Sequence, residues 1–134
     1  MNCRVAQQSD WRQLLIFFNE IYRENHPLQT FEFWDWQFGD KKFGRSFIVE
    51  KGGRIYGHVG ATFNGGYAWI INVYLSKECR GKGILRELYS MARNFAPIAA
   101  ANINEAGLNL YRNMGYIRYC DLQRFVAINP KCMD

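Results

Sequence analysis

This chain predicts an α/β domain built on a mixed, mostly antiparallel sheet of about six to seven strands with four helices. Three observations predict it. Two alternating apolar runs meet at a Gly-Gly pair, and a second Gly-Gly leads into a third run, "YAWIINVYLS", that is almost continuously apolar. Stretches with apolar residues three and four apart lie on both sides of those runs. The resulting order is strand, two helices, three strands, helix, strand, helix, two strands, which asks for helices packed on a sheet.

Each element has its own signal. "NCRVAQQ" alternates and predicts a short strand, and Ser9 or Asp10 can cap the helix that follows. There Trp11, Leu14, Leu15, Phe18, Ile21 and Tyr22 form one face, and Pro27 is expected to end the helix near Glu24 to His26. "TFEFWDWQFGDKKFG" predicts a shorter, aromatic helix or helical loop. "RSFIVEKGGRIYGHVGATFNGG" predicts a hairpin turning at Gly52-Gly53. "YAWIINVYLS" is expected to be central because nearly every residue is apolar. From Gly83, the positions Ile84, Leu85, Leu88, Met91, Ala92 and Phe95 give a helical stripe that Pro97 ends. "IAAANI" predicts a short strand, "NEAGLNLYRNMG" a helix closed by Gly115, and "YIRYCDLQRFVAI" a final pair of strands. No linker, repeat or low-complexity segment interrupts residues 1–134, so one domain is expected.

Composition narrows the functional classes. A hydrophobic share of 49% with 16% aromatics supports a packed core, and the net charge of +5 allows an anionic partner. Cys3, Cys79, Cys120 and Cys132 form no CxxC pair and have no His at metal-ligand spacing, so free thiols are expected and no metal site is. No apolar run approaches the ~18 residues a membrane span needs, and the N-terminus lacks signal-peptide character. A cytoplasmic protein is the expectation.

The stretch "ECRGKGILREL" carries the most chemistry. Arg80, Lys82 and Arg86 surround Gly81 and Gly83, directly after an apolar strand and at the start of a helix. Such a turn offers unpaired backbone N–H groups at the positive end of a helix dipole, and the glycines let an oxyanion approach the main chain. Phosphate or pyrophosphate is the natural guest. The spacing fits neither the P-loop nor the GxGxxG dinucleotide pattern, whose third glycine would fall at Arg86.

"LSKECRGKGILRELYSMAR", followed by "NINEAGLNLYRNMGYIRY", resembles the Gcn5-related N-acetyltransferase (GNAT) superfamily. In that family R/Q-x-x-G-x-G/A binds the pyrophosphate of acetyl-coenzyme A and corresponds here to Arg80, Gly83 and Leu85, where Leu replaces the usual Gly or Ala. The later N-x-x-A-x-x-L-Y-x-x-x-G-F/Y corresponds to Asn104, Gly107, Leu110, Tyr111, Gly115 and Tyr116, with Gly107 in place of Ala. The element order is also the family's.

The resemblance implies a GNAT-like acyl-coenzyme A N-acyltransferase fold and direct transfer of acetyl from acetyl-coenzyme A to a primary amine, without a metal. It places the pyrophosphate on Arg80, Gly81, Lys82, Gly83, Ile84 and Leu85, and the pantetheine arm on the open strand edge from Val73 to Leu75. It gives Asn104 a hydrogen bond to the cofactor and Tyr111 the role of protonating the leaving thiolate. Many relatives carry a Glu base on the strand before the turn, but "YAWIINVYL" has no carboxylate. His58 titrates in the right range and is the candidate base, acting directly or through water, ahead of His26 and Glu50. Asn72 could position a water.

For the acceptor, "HPLQTFEFWDWQF" offers Trp34 as a pocket wall and Glu32 as an acidic rim for an amine. This His-Pro followed by a Trp-rich helix also resembles acyltransferases of cell-surface sugar pathways, which implies an amino sugar. The expected partner is a small-molecule amine, with no nucleic acid or membrane, and the resemblance allows a homodimer through edge pairing or strand exchange. The alternatives are a protein or peptide N-acetyltransferase, which would need an open groove, and a non-catalytic coenzyme A-binding module. Binding to RNA or single-stranded DNA ranks last, because the aromatics follow core periodicities.

Overall fold

The computed structural model describes residues 1–40, 42–100 and 105–117. The chain forms two compact units, Met1–Ala101 and Asn102–Asp134. The first holds five strands in spatial order β1-β2-β3-β4-β5: Asn2–Val5, Gly44–Lys51, Arg54–Asn64, Tyr67–Leu75 and Ile98–Ala99. The first three pairings are antiparallel, and β4 pairs with β5 in parallel. Helices α1 (Trp11–Ile21), α2 (Phe31–Trp34) and α3 (Ile84–Arg93) belong to this unit, and α4 (Glu105–Asn113) to the second. Of the six to seven strands expected, five lie among the described residues. The predicted final pair falls outside them from residue 118 on.

Turn chemistry sets the meander. Gly52 and Gly53 have φ of +60° and +79°, and Gly65 and Gly66 of +61° and +82°, the left-handed pairs that a two-residue hairpin turn requires. Helix α1 starts after a 3-10 turn in which Asp10 accepts the Gln7 N–H at 2.7 Å and two bonds from Arg4 at 2.7 and 2.8 Å. It ends at Ile21, earlier than expected. Tyr22 is already extended, its ring stacks on His26 at 3.9 Å, and Asn25 takes a φ of +66°, so the chain leaves helical geometry well before Pro27 acts.

One core lies on the α1 and α2 side of the sheet, where Leu14, Phe17, Phe18, Trp34 and Phe38 pack on Ile48 and Ile55. Phe38 reaches the sheet over Gly60, where an added Cβ would meet its ring at 2.5 Å and the Ile71 carbonyl oxygen at 2.7 Å. Gly60→Ala is therefore expected to destabilise the fold by about 1–3 kcal/mol, measured as a lower urea midpoint at unchanged slope.

Strand β4 departs from its expected burial. Ala68 and Ile70 are buried, but Trp69, Ile71 and Val73 are 38–40% exposed, so an almost continuously apolar run presents one face outward. Among the described residues, its pairing with β5 extends over only Ala68 and Trp69. Cys3 and Cys79 are free thiols, while Cys120 and Cys132 lie outside the described residues. No described helix is long and apolar enough to cross a membrane.

Candidate active site

The described pairing of β4 with β5 ends at Trp69, and the β4 edge from Ile70 to Leu75 has no strand partner among the described residues on that side. The same stretch carries a bulge. His58 pairs with Tyr74 and Gly60 with Ile71, so Asn72 and Val73 together face Val59. Asn72 takes a φ of +57°, a left-handed conformation that Asn tolerates better than its apolar neighbours would.

The open edge runs directly into the basic turn. The Arg80 Nε–H donates to the Leu75 carbonyl at 3.0 Å, tying the end of β4 to the loop. Gly81 and Gly83 have φ of +76° and +75°, and Gly83 is the residue before the first turn of α3. A Cβ built at either meets nothing within 4 Å, so glycine is dictated there by backbone conformation and the space above the turn is open. Arg80, Lys82 and Arg86 are exposed around it. Ile84 buries its side chain in the core, which leaves its backbone N–H as its contribution to the helix terminus. Leu85, the departure from the family pattern, is half-buried on α3.

His58 requires a correction. It is 0% exposed, between the edges of the Phe18 and Phe38 rings at 5.2 and 5.5 Å. Nδ1 lies 2.8 Å from the Asn72 carbonyl oxygen and Nε2 lies 2.7 Å from the Ser46 Oγ. A carbonyl only accepts, so Nδ1 carries the proton, and Nε2 accepts from the Ser46 hydroxyl. Burial pushes the pKa from 6.5 down to about 4, against the Asn72 hydrogen bond, which raises it. With both nitrogens bonded and no exposed surface, His58 offers neither an amine nor a water a base.

Trp34 is corrected on the same grounds. It is 0% exposed and its Nε1–H donates to the Ser46 Oγ at 3.0 Å, so it belongs to the core and walls no pocket. The outward residue of this segment is Trp36, 72% exposed, with its ring 5.6 Å from that of Phe33. Glu32 is exposed. Glu50 sits by the hairpin turn, its carboxylate accepting from Asn2 at 3.4 Å on the edge strand β1. His26 holds its Nδ1 against the Leu28 N–H at 3.1 Å, and burial lowers its pKa.

Sequence reasoning missed Tyr22. Its hydroxyl accepts from the Asn72 Nδ2–H at 3.1 Å, which places it beside the bulge with its own O–H proton still to donate. Burial raises its pKa, against the Asn72 bond, so it is a neutral phenol. The available signal was a polar-tipped aromatic directly after the last residue of α1.

In the second unit, α4 closes with Gly115 at φ +85° and the Tyr116 N–H returning to the Tyr111 carbonyl at 3.0 Å. Tyr111 is 9% exposed, with its ring 5.6 Å from that of Tyr116. Asn104 lies outside the described residues.

A mixed sheet whose bulged fourth strand runs into a basic glycine turn at a helix start is an α/β fold with a cradle for an anion. The protein belongs to the acetyltransferase (GNAT) family, whose sequence model matches residues 10–116, and it is an N-acetyltransferase. Solved structures share the fold at low identity. The aminoglycoside acetyltransferase AAC(6')-Iy, in complex with the bisubstrate analog CoA-S-monomethyl-acetylneamine, is 12% identical with a TM-score of 0.73, over 98% of each chain. The 6'-N-acetyltransferase AAC(6')-IG of Acinetobacter haemolyticus is 14% identical with a TM-score of 0.69, over 96% of this chain and 99% of that one. A ribosomal-protein-alanine N-acetyltransferase from Brucella melitensis is 15% identical with a TM-score of 0.62, over 96% and 100%. Among curated proteins, no sequence match was found.

Proposed function

We propose that the protein transfers an acetyl group from acetyl-coenzyme A to a primary amine of a small molecule, with an amino sugar as the favoured acceptor class. One observation carries the cofactor half of this reading. The open β4 edge and the glycine turn form a single track, joined by the Arg80 to Leu75 hydrogen bond, with strand-like main chain at one end and an anion cradle at the other. Pantetheine lies along Val73 to Leu75. The pyrophosphate takes the N–H groups from Gly81 to Leu85 with the charges of Arg80 and Lys82, and Asn104 bonds the cofactor arm. One family match runs from residue 10 in the first unit to residue 116 in the second, which supports a single acetyltransferase domain.

The acceptor half rests on chemistry and on likeness. Two of the structures most similar in fold are described as acting on aminoglycosides, whose amines sit on sugar rings. On this chain Glu32 supplies a carboxylate for an ammonium and Trp36 an exposed ring for the apolar face of a sugar. Asn72 and Tyr22 present polar groups beside the bulge. The amine attacks the thioester carbonyl, a tetrahedral oxyanion forms, and the main chain at the bulge stabilises it. Collapse expels the coenzyme thiolate, which takes the Tyr111 proton, while the proton shed by the attacking nitrogen leaves through water and restores the phenol.

Calorimetry with acetyl-coenzyme A, and thiol release against neamine, glucosamine and an Ala-terminal peptide, test the assignment. Binding with turnover on the sugars supports it, and turnover on the peptide alone would move the acceptor to proteins. Tyr111→Phe is expected to lower kcat by about 10–100-fold while leaving acetyl-coenzyme A binding within about threefold. An unchanged kcat would remove Tyr111 as the acid.

A further inference from the structure

Buried polar groups in a sheet core are destabilising unless every one is paired, and this sheet buries a directional row of them. The Trp34 Nε1–H donates to the Ser46 Oγ, the Ser46 hydroxyl donates to the His58 Nε2, and the His58 Nδ1–H donates to the Asn72 carbonyl. Ser46 and His58 are each 0% exposed, and the imidazole is boxed by Phe18 and Phe38. The row starts in α2, crosses β2 and β3, and ends on the one left-handed residue of β4. Asn72 is held a second time, through its side chain, by Tyr22.

The row has a consequence on the far side of the peptide it grips. The Asn72–Val73 bond is trans, as every described peptide is. In a trans peptide C=O and N–H point in opposite directions. With the Asn72 oxygen drawn toward the His58 imidazole, the Val73 N–H points away from that ring, and the edge of β4 beyond Trp69 has no strand partner among the described residues.

We propose that His58 is a positioning residue for acetyl transfer, holding the Asn72–Val73 peptide so that the Val73 N–H is aimed into the open edge of β4. The proposal rests on the reading of that edge as the thioester site. A donor fixed before the substrate arrives needs no reorganisation as charge develops on the thioester oxygen. A valine at position 58 would fill the core without a polar row, but it would leave the bulge peptide free to rotate.

Two isosteres separate the halves of the row. In His58→Asn the amide nitrogen falls where Nδ1 stood, so the bond to Asn72 survives and the one to Ser46 is lost. In His58→Gln the side chain reaches Ser46 and the bond to Asn72 is lost. We expect His58→Gln to lose about 10–100-fold in kcat with the acetyl-coenzyme A KM within about threefold, and His58→Asn to lose no more than about fivefold. Equal losses in the two variants, or a change confined to KM, would overturn the proposal.

Two NMR measurements on the free protein need no turnover. The imidazole nitrogen shifts of wild type should show the proton on Nδ1, and the Val73 amide should move in His58→Gln but stay in place in His58→Asn. A proton on Nε2, or equal movement in both variants, rejects the positioning role even if neither variant is active. Should wild type acetylate none of the amines tried, the functional reading fails, and these two spectra alone decide the role of His58.

Discussion

Gly83→Glu is expected to raise the dissociation constant for acetyl-coenzyme A at least about 100-fold, and two effects combine to do it. Gly83 sits at φ +75°, where a Cβ introduces about 1–2 kcal/mol of strain that the loop relieves by leaving its left-handed conformation. That relief turns the first N–H groups of α3 away from their common focus. The second effect is charge. The substituent enters space in which a Cβ meets nothing within 4 Å, so its carboxylate stands where the pyrophosphate is proposed to lie. Two unit charges about 4 Å apart near a protein surface interact by about 4 kcal/mol. Gly83→Ala isolates the strain and should weaken binding by about tenfold or less, and the difference between the variants should shrink as salt screens it. Glutamate tolerated with native affinity, in a protein whose melting is unchanged, would mean that the turn holds no phosphate.

The parts of this site that could be foreseen are those built from neighbours in sequence. The Gly-Gly hairpin turns, the stripe of α3 and the basic turn before it each depend on a dozen residues or fewer, and all stand where periodicity and turn chemistry place them. Prediction failed where distant segments meet. A histidine in an alternating strand looks titratable, and its burial becomes visible only when Phe18, Phe38, Ser46 and Asn72 arrive from four other elements. "YAWIINVYLS" looked doubly buried because every position but Asn72 was apolar or small, and composition says nothing about which face of the strand is left outward. Asn72 itself was the available signal. A lone Asn inside an apolar run is poor at strand packing and good at positive φ, which is the profile of a bulge. The Trp34 assignment was recoverable as well, since Phe31, Trp34 and Phe38 share the inward spacing that leaves Trp36 outside.

The buried row also makes the fold acid-sensitive in a window that one residue sets. The pKa of His58 is lowered by burial from 6.5 to about 4, so the unfolded chain takes up a proton there well before the folded one does. Stability therefore rises with pH between about 4 and 6.5 and is fully expressed above the unfolded value. As pH falls through that window, up to about 3 kcal/mol is lost. His26 is also lowered by burial and acts in the same direction, whereas the carboxyl of Asp10, lowered by Arg4, releases its stabilisation only below the ordinary carboxylate range. A non-titrating side chain separates these contributions. Urea unfolding of wild type should lose about 3 kcal/mol more between pH 7 and pH 4 than His58→Gln does, even though the variant starts less stable. Burial is the main cause, and the row adds a further obstacle to the charged form. A proton on Nε2 would face the Ser46 oxygen, which already accepts from Trp34, so the serine hydroxyl would lose its acceptor and its oxygen would meet two donors. Parallel pH profiles for the two proteins would show that the imidazole charges in place, and that its burial is not what holds the row in one direction.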